Sequence, residues 1–110
     1  MKKFLVNYFS SEAAHKHTQE MAPEEMQAAM GKWMTWAETC GDSLVDMGAP
    51  IMPGKTIGSD IVSPASGFSI LQAEDAAAAE ALCANHPHLE WHADCSLAIH
   101  EFAPSPGSGN

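Results

Sequence analysis

Apolar positions recur with period two over Phe4–Phe9, where Phe4, Val6 and Tyr8 form one set and Leu5, Asn7 and Phe9 the other. Both sets are largely apolar, which predicts a first strand lying inside a sheet and covered on both faces or nearly so. Residues 10–22 are polar, carry His15 and His17, and read as an exposed connection. Pro23 then opens a helix in the favourable first turn, with Glu24 and Glu25 suited to its dipole. At the helical period Met26, Ala29, Met30, Trp33, Ala37 and Cys40 share one face, Met34 and Trp36 flank it, and Lys32, Thr35, Glu38 and Thr39 lie opposite. Gly41 supplies a left-handed end. Ala22, at the N-cap position, has no side-chain acceptor.

Ser43–Met47 predicts a second strand, broken by Gly48 and Pro50, and residues 48–64 read as a loop or irregular hairpin. A third strand is expected at Gly67–Gln72, and a helix capped by Asp75 through Ala76–Ala84. Pro87 stops that helix and starts a short helical turn over His88–Trp91; Ser96–Phe102 closes the pattern as a fourth strand. The expected domain is 1–104, with a flexible tail over 105–110. Strand–helix–strand–strand–helix–strand order defines an α+β, ferredoxin-like βαββαβ fold.

Charge narrows the partners. Fourteen acidic residues against five basic ones, all lysines, give −9 with histidine neutral. Such a chain is poorly equipped to neutralise phosphates, which argues against nucleic acid and anionic membrane surfaces. The apolar run after Met1 stops at Asn7, short of a signal peptide, and no stretch reaches the ~20 apolar residues of a membrane span. Cys40, Cys83 and Cys95 are odd in number and lack close pairing, the pattern of reduced thiols in a cytoplasmic protein.

Several segments in order resemble the YCII-related domain family. They are Lys3-Phe4-Leu5-Val6, Pro23-Glu24-Glu25-Met26, Trp33-Met34-Thr35-Trp36-Ala37, Val45-Asp46-Met47-Gly48-Ala49-Pro50, Gly67–Ala73, Ala81-Leu82, His86-Pro87-His88-Leu89 and Ile99-His100-Glu101-Phe102. The resemblance spans about residues 2–104 and implies a dimeric α/β barrel, in which a four-stranded antiparallel sheet packs on a partner's sheet. Packing logic agrees: two helices roof one face of the sheet, and apolar residues on the other face need a second cover, which a homodimer supplies. The YciI-type branch carries a histidine soon after a proline in its first helix. Here Pro23-Glu24-Glu25-Met26 has none, so that branch's histidine chemistry does not carry over.

Candidate chemistry centres on two residues. Asp46 sits at a strand end; if it faces inward, desolvation raises its pKa and suits it to proton transfer, whereas an outward Asp46 would bond the loop amides around Gly48. His88 lies in the Pro-His-Leu piece and, as a neutral imidazole, serves as base or hydrogen-bonding group; a packed structural histidine is the alternative. Trp36, with its indole N–H available, and Met47 are expected as pocket walls, and Lys55 as the cation for an anionic ligand. His86, His88 and His92 form an alternative transition-metal set, since His88 and His92 would share a helical face. In the same stretch, one histidine is expected to cap the short helix. Cys95 beside His92 lacks a third, orienting group for nucleophilic catalysis.

With no phosphate loop or flavin motif, no cofactor is expected. The sequence thus predicts a small-molecule-binding homodimer, with cofactor-independent proton transfer of isomerase or lyase type as its chemistry. The alternatives are a non-catalytic ligand-binding or regulatory subunit and a metal-binding protein.

Overall fold

The computed structural model of the protein describes residues 1–52, 54–60 and 65–103. Along the chain lie β1 (Lys2–Phe9), α1 (Glu12–Gln19), α2 (Pro23–Cys40), a 3-10 turn (Gly41–Ser43), β2 (Leu44–Pro50), β3 (Ala65–Ala73), α3 (Ala76–Cys83), α4 (Pro87–Trp91) and β4 (Ser96–Glu101). The strands form one antiparallel sheet in the order β2-β3-β1-β4. This is the ferredoxin-like arrangement expected from the element order. The boundary expected at 104 and the tail 105–110 lie outside the described residues.

Alternation along β1 decides where the core sits. Phe4, Val6 and Tyr8 are buried, and the register sets them beside Leu71, Ser69 and Gly67 of β3 on the helix-covered face. Trp36 and Cys40 of α2 and Cys83 of α3 close over Val6, Tyr8 and Leu71, while Ala79 packs with Phe4 and Ala73. Each large side chain removed from water here stabilises the fold by roughly 1.5–3 kcal/mol. On the other face Leu5, Asn7 and Phe9 of β1, Phe68, Ile70 and Gln72 of β3 and Ala98 of β4 are only half-buried.

Three expectations change. The connection 10–22 contains α1, because Ser11 accepts the Ala14 N–H at 3.1 Å as its N-cap, Glu12 opens the first turn, and Ala14 supplies a buried anchor. The buried line of α2 is turned towards Trp36, leaving Met26, Met30 and Met34 exposed. A flat indole buries more area than a flexible thioether, and its N–H donates to Leu82 O at 2.9 Å. Finally, β2 continues past Met47 to Pro50 by taking extra residues: Leu44 pairs with Leu71, Asp46 with Ile70 and Ala49 with Phe68.

Gly48 makes that irregular pairing possible. It has φ +74°, and an added Cβ would fall 1.7 Å from Phe68 O. Gly48→Ala is therefore expected to displace β2 from β3 and to cost well over the ~1–2 kcal/mol of a left-handed alanine alone, read as a lowered urea midpoint.

Candidate functional site

Four short elements bring the polar chemistry together at the helix–sheet boundary. In His86-Pro87-His88, His86 takes the N-cap position of α4 and Pro87 its first turn, where a missing N–H is harmless. His86 Nδ1 accepts the backbone N–H of His88 at 3.0 Å, so the neutral ring carries its proton on Nε2. That nitrogen lies 2.8 Å from Tyr8 Oη, Tyr8 Oη lies 2.7 Å from Ser69 Oγ, and Ser69 Oγ donates to Met47 O at 2.7 Å. With an N–H at one end and a carbonyl at the other, the chain has one direction: His86 donates to Tyr8, Tyr8 to Ser69, and Ser69 to Met47. Every member is satisfied, and no buried side-chain N or O among the described residues lacks a partner.

Rings enclose this chain. His86 is fully buried, with its centroid 4.1 Å from Trp36, 4.6 Å from Trp33 and 4.9 Å from Tyr8. Burial, reinforced by neighbouring His88, pushes its pKa down to about 3. His88 is buried too; its Nε2–H donates to Phe9 O at 2.9 Å, and desolvation lowers its pKa against the pull of the Phe9 and Ser96 carbonyls. Burial raises Tyr8 above its usual range. It also pushes the Cys83 thiol to about 11, with Cys40 adding to the shift, and raises Cys40 and Cys95. At neutral pH the cluster holds neutral imidazoles, a phenol and thiols, with no thiolate poised to attack.

Above the rings lies an open groove of about 680 Å³ between α2, α3 and α4, lined by Trp36, Thr35, Leu82, Asn85 and Pro87 among others. A smaller hollow of about 260 Å³ on the α1 side has Trp33, Trp91 and His17 in its wall. The two share Ala28, Lys32, Pro87 and Glu90, and the exposed Lys32–Glu90 ion pair, at 3.8 Å, stands between them. Trp91 fastens α4 to α1 by donating to Thr18 Oγ1 at 2.7 Å.

Of the residues expected at a site, Trp36 lines the groove, although its N–H is spent on Leu82 O. His88, on α4, is buried against Tyr8 and Phe9 and is not part of the groove lining. Asp46 does not face inward: it is exposed, its Oδ1 accepts the Gly48 N–H at 2.8 Å, and its partner Ile70 belongs to the sheet face away from the helices. The extra residues in β2 break the alternation that an inward position required. Asp46 and His88 are thus on opposite faces of the sheet. Met47 is half-buried and contributes its carbonyl to the hydrogen-bonded chain, and Lys55 is exposed in the loop after β2. His92 lies beyond the end of α4 in an extended conformation, its Nδ1 accepting the Asp94 N–H, and both nitrogens of His86 are engaged. Among the described residues no three His, Cys, Asp or Glu side chains converge on a metal position. Tyr8 and Ser69 escape a reading of the sequence, since only the β1–β3 register joins them; the Pro after His86 is the one local signal, and it marks the cap.

The fold and this site define a ferredoxin-like α+β protein with an open groove, lined by Trp36, Leu82 and polar side chains, beside a neutral polar core. Among solved structures, the chain is similar to 5-chloro-2-hydroxyhydroquinone dehydrochlorinase (TftG) from Burkholderia phenoliruptrix AC1100 in complex with 2,5-dihydroxybenzoquinone, with TM-score 0.57 and 12% identity over 94% of this chain and 96% of that one. No protein-family model and no curated protein matches the chain. Among the described residues no helix is long and apolar enough to cross a membrane.

Stability should fall with acid in a defined window. His86 and His88 have folded pKa values below the unfolded 6.5, so the unfolded state binds more protons as pH falls from about 6.5 towards about 3, and stability present above 6.5 is lost across that range. Urea unfolding between pH 6.5 and 5 should lose up to ~1.4 kcal/mol per pH unit per histidine proton. His86→Asn, which keeps a capping side chain, should flatten the slope; an unchanged slope would place the titrating groups elsewhere.

Proposed function

We propose that this is a YCII-related, small-molecule-binding homodimer whose ligand occupies the groove between α2, α3 and α4. The observation that carries this reading is the open groove of about 680 Å³, a size that suits a small organic molecule, with Trp36 in its lining and Lys32, Glu90, Thr35 and Asn85 as orienting polar groups. A small, partly oxygenated ring matches that lining: it rests on the apolar surface of Leu82, Pro87 and the edge of Trp36 and takes hydrogen bonds at its own edge. The ligand named for the structurally similar dehydrochlorinase, 2,5-dihydroxybenzoquinone, is of this kind and serves as a probe. Isothermal titration calorimetry should give saturable binding to the native protein, weakened at least ~10-fold, or ~1.4 kcal/mol, in Ala28→Trp, which fills the groove from an exposed helix position. Equal heats for the two proteins would dismiss the groove as the site.

The half-buried apolar face of the sheet supports the homodimer, because among the described residues no helix covers Leu5, Phe68 and Ile70. Sedimentation equilibrium should return about twice 11.7 kDa for the native chain, and a monomer for Ile70→Glu. A native monomer at micromolar concentration would remove the dimer.

A second reading, cofactor-independent proton transfer, is favoured by the likeness to a dehydrochlorinase, since loss of a proton together with chloride calls for a base. His86, whose ring centroid lies 4.1 Å from that of the groove residue Trp36, and His88 are buried neutral imidazoles that would supply it, once a ligand displaces one of their present partners.

A further inference from the structure

The strand register aligns one row of residues straight across the uncovered sheet face. Leu5 is paired with His100 on one side and with Ile70 on the other, and Ile70 is paired with Asp46, so the row reads Asp46–Ile70–Leu5–His100 from the β2 edge to the β4 edge. It has an acid at one end, two apolar residues in the middle and an imidazole at the other end. Both end residues are exposed. Asp46 commits one carboxylate oxygen to the Gly48 N–H, and among the described residues neither its other oxygen nor the His100 ring has a partner. The next row along β1 carries Lys3 opposite Gln72, so Asp46, His100 and Lys3 are the charged or titratable side chains among the described strand residues of this face.

From this row we infer how two copies of the chain meet, an inference that rests on the homodimer proposed above: Asp46 of one protomer bonds His100 of its partner, and the pair occurs twice by symmetry. Two sheets packed face to face with aligned strands admit two in-plane two-fold axes. An axis along the strands lays β2 over the partner's β4 and keeps each row over itself in reverse. Asp46 then meets His100, Ile70 meets Leu5, Asn7 meets Phe68, Lys3 meets Gln72 and Ala98 meets Ala49. An axis across the strands lays β2 over β2 and β4 over β4, so that Asp46 lies over the partner's β2 and His100 over the partner's β4 at whatever height the axis runs. The first arrangement gives each carboxylate an N–H donor whichever protonation state the imidazole holds, and closes Leu5 and Ile70 between the two pairs. The second gives neither group a complementary partner, since β2 carries no basic residue and β4 offers no acid to this face. Electrostatics therefore selects the axis, and apolar burial supplies the adhesion.

Two measurements test this. Mixed in equal amounts and allowed to exchange subunits, Asp46→Cys and His100→Cys proteins should be joined by a short bis-maleimide, whereas neither protein alone should be; the native cysteines are buried. In parallel, His100→Glu should weaken dimerisation about tenfold or more by sedimentation, and adding Asp46→Lys to it should restore most of the loss. Cross-linking of Asp46→Cys with itself, or a tighter dimer in Asp46→Asn, would overturn the pairing while leaving the homodimer standing. A native protein that is monomeric overturns both.

Discussion

The phenol of Tyr8 is the point on which the rest of the molecule turns. It stands in the middle of a buried sheet face, where an unpaired hydroxyl would cost on the order of 1–3 kcal/mol, so partners must be delivered from elsewhere in the chain. They come from residues far apart in sequence: Ser69 on the neighbouring strand and His86 at the start of α4. Supplying them fixes three things together, namely the register of β1 against β3, the position of the loop before α4, and, through Met47 O, the path of the bulged edge strand. Apolar packing of Val6, Leu71 and Trp36 fills the same space but tolerates sliding; a directional polar chain does not.

The same arrangement bears on the groove proposed as a ligand site. Because the chain begins at a backbone N–H and ends at a backbone carbonyl, it conducts no proton from one surface to another, and its groups stay neutral near pH 7. What faces outward is the aromatic roof over it, with the Lys32–Glu90 pair at the rim. In the function proposed above, a small, polar-edged molecule would bind over that surface, and acid–base chemistry would begin only when it takes the place of an existing hydrogen bond. The polar core and the groove are thus two layers of one device, the lower one holding the upper one in place.

Much of the fold was legible because strand alternation and helix punctuation are local signals. The apolar sets of Phe4–Phe9, Pro23 and Gly41 around α2, and Asp75 before α3 all act through neighbours within a few residues. The helix over Glu12–Gln19 was not legible as such, since its sequence is polar and it hangs on a serine cap, one buried alanine and a bond to Trp91, far along the chain. The site was legible in composition and not in geometry. His86-Pro87-His88 stood out as a cluster, but whether such histidines bind metal, cap a helix or line a cavity depends on Tyr8 and on the Phe9 carbonyl, which only tertiary pairing brings near. Asp46 shows the converse: alternation suggested an inward carboxylate, and two extra residues in β2 undid the count.

Those extra residues also bear on how the protein behaves when crowded. A regular outer strand offers an evenly spaced row of free amides and carbonyls to any passing chain, and so seeds fibrils. Between Leu44 and Pro50 that row is interrupted by a kinked backbone at Gly48 and ends on an imino acid with no proton to share. One margin of the sheet is therefore a bad mould for copying, and growth by endless ribbon addition is discouraged there by the covalent chain itself.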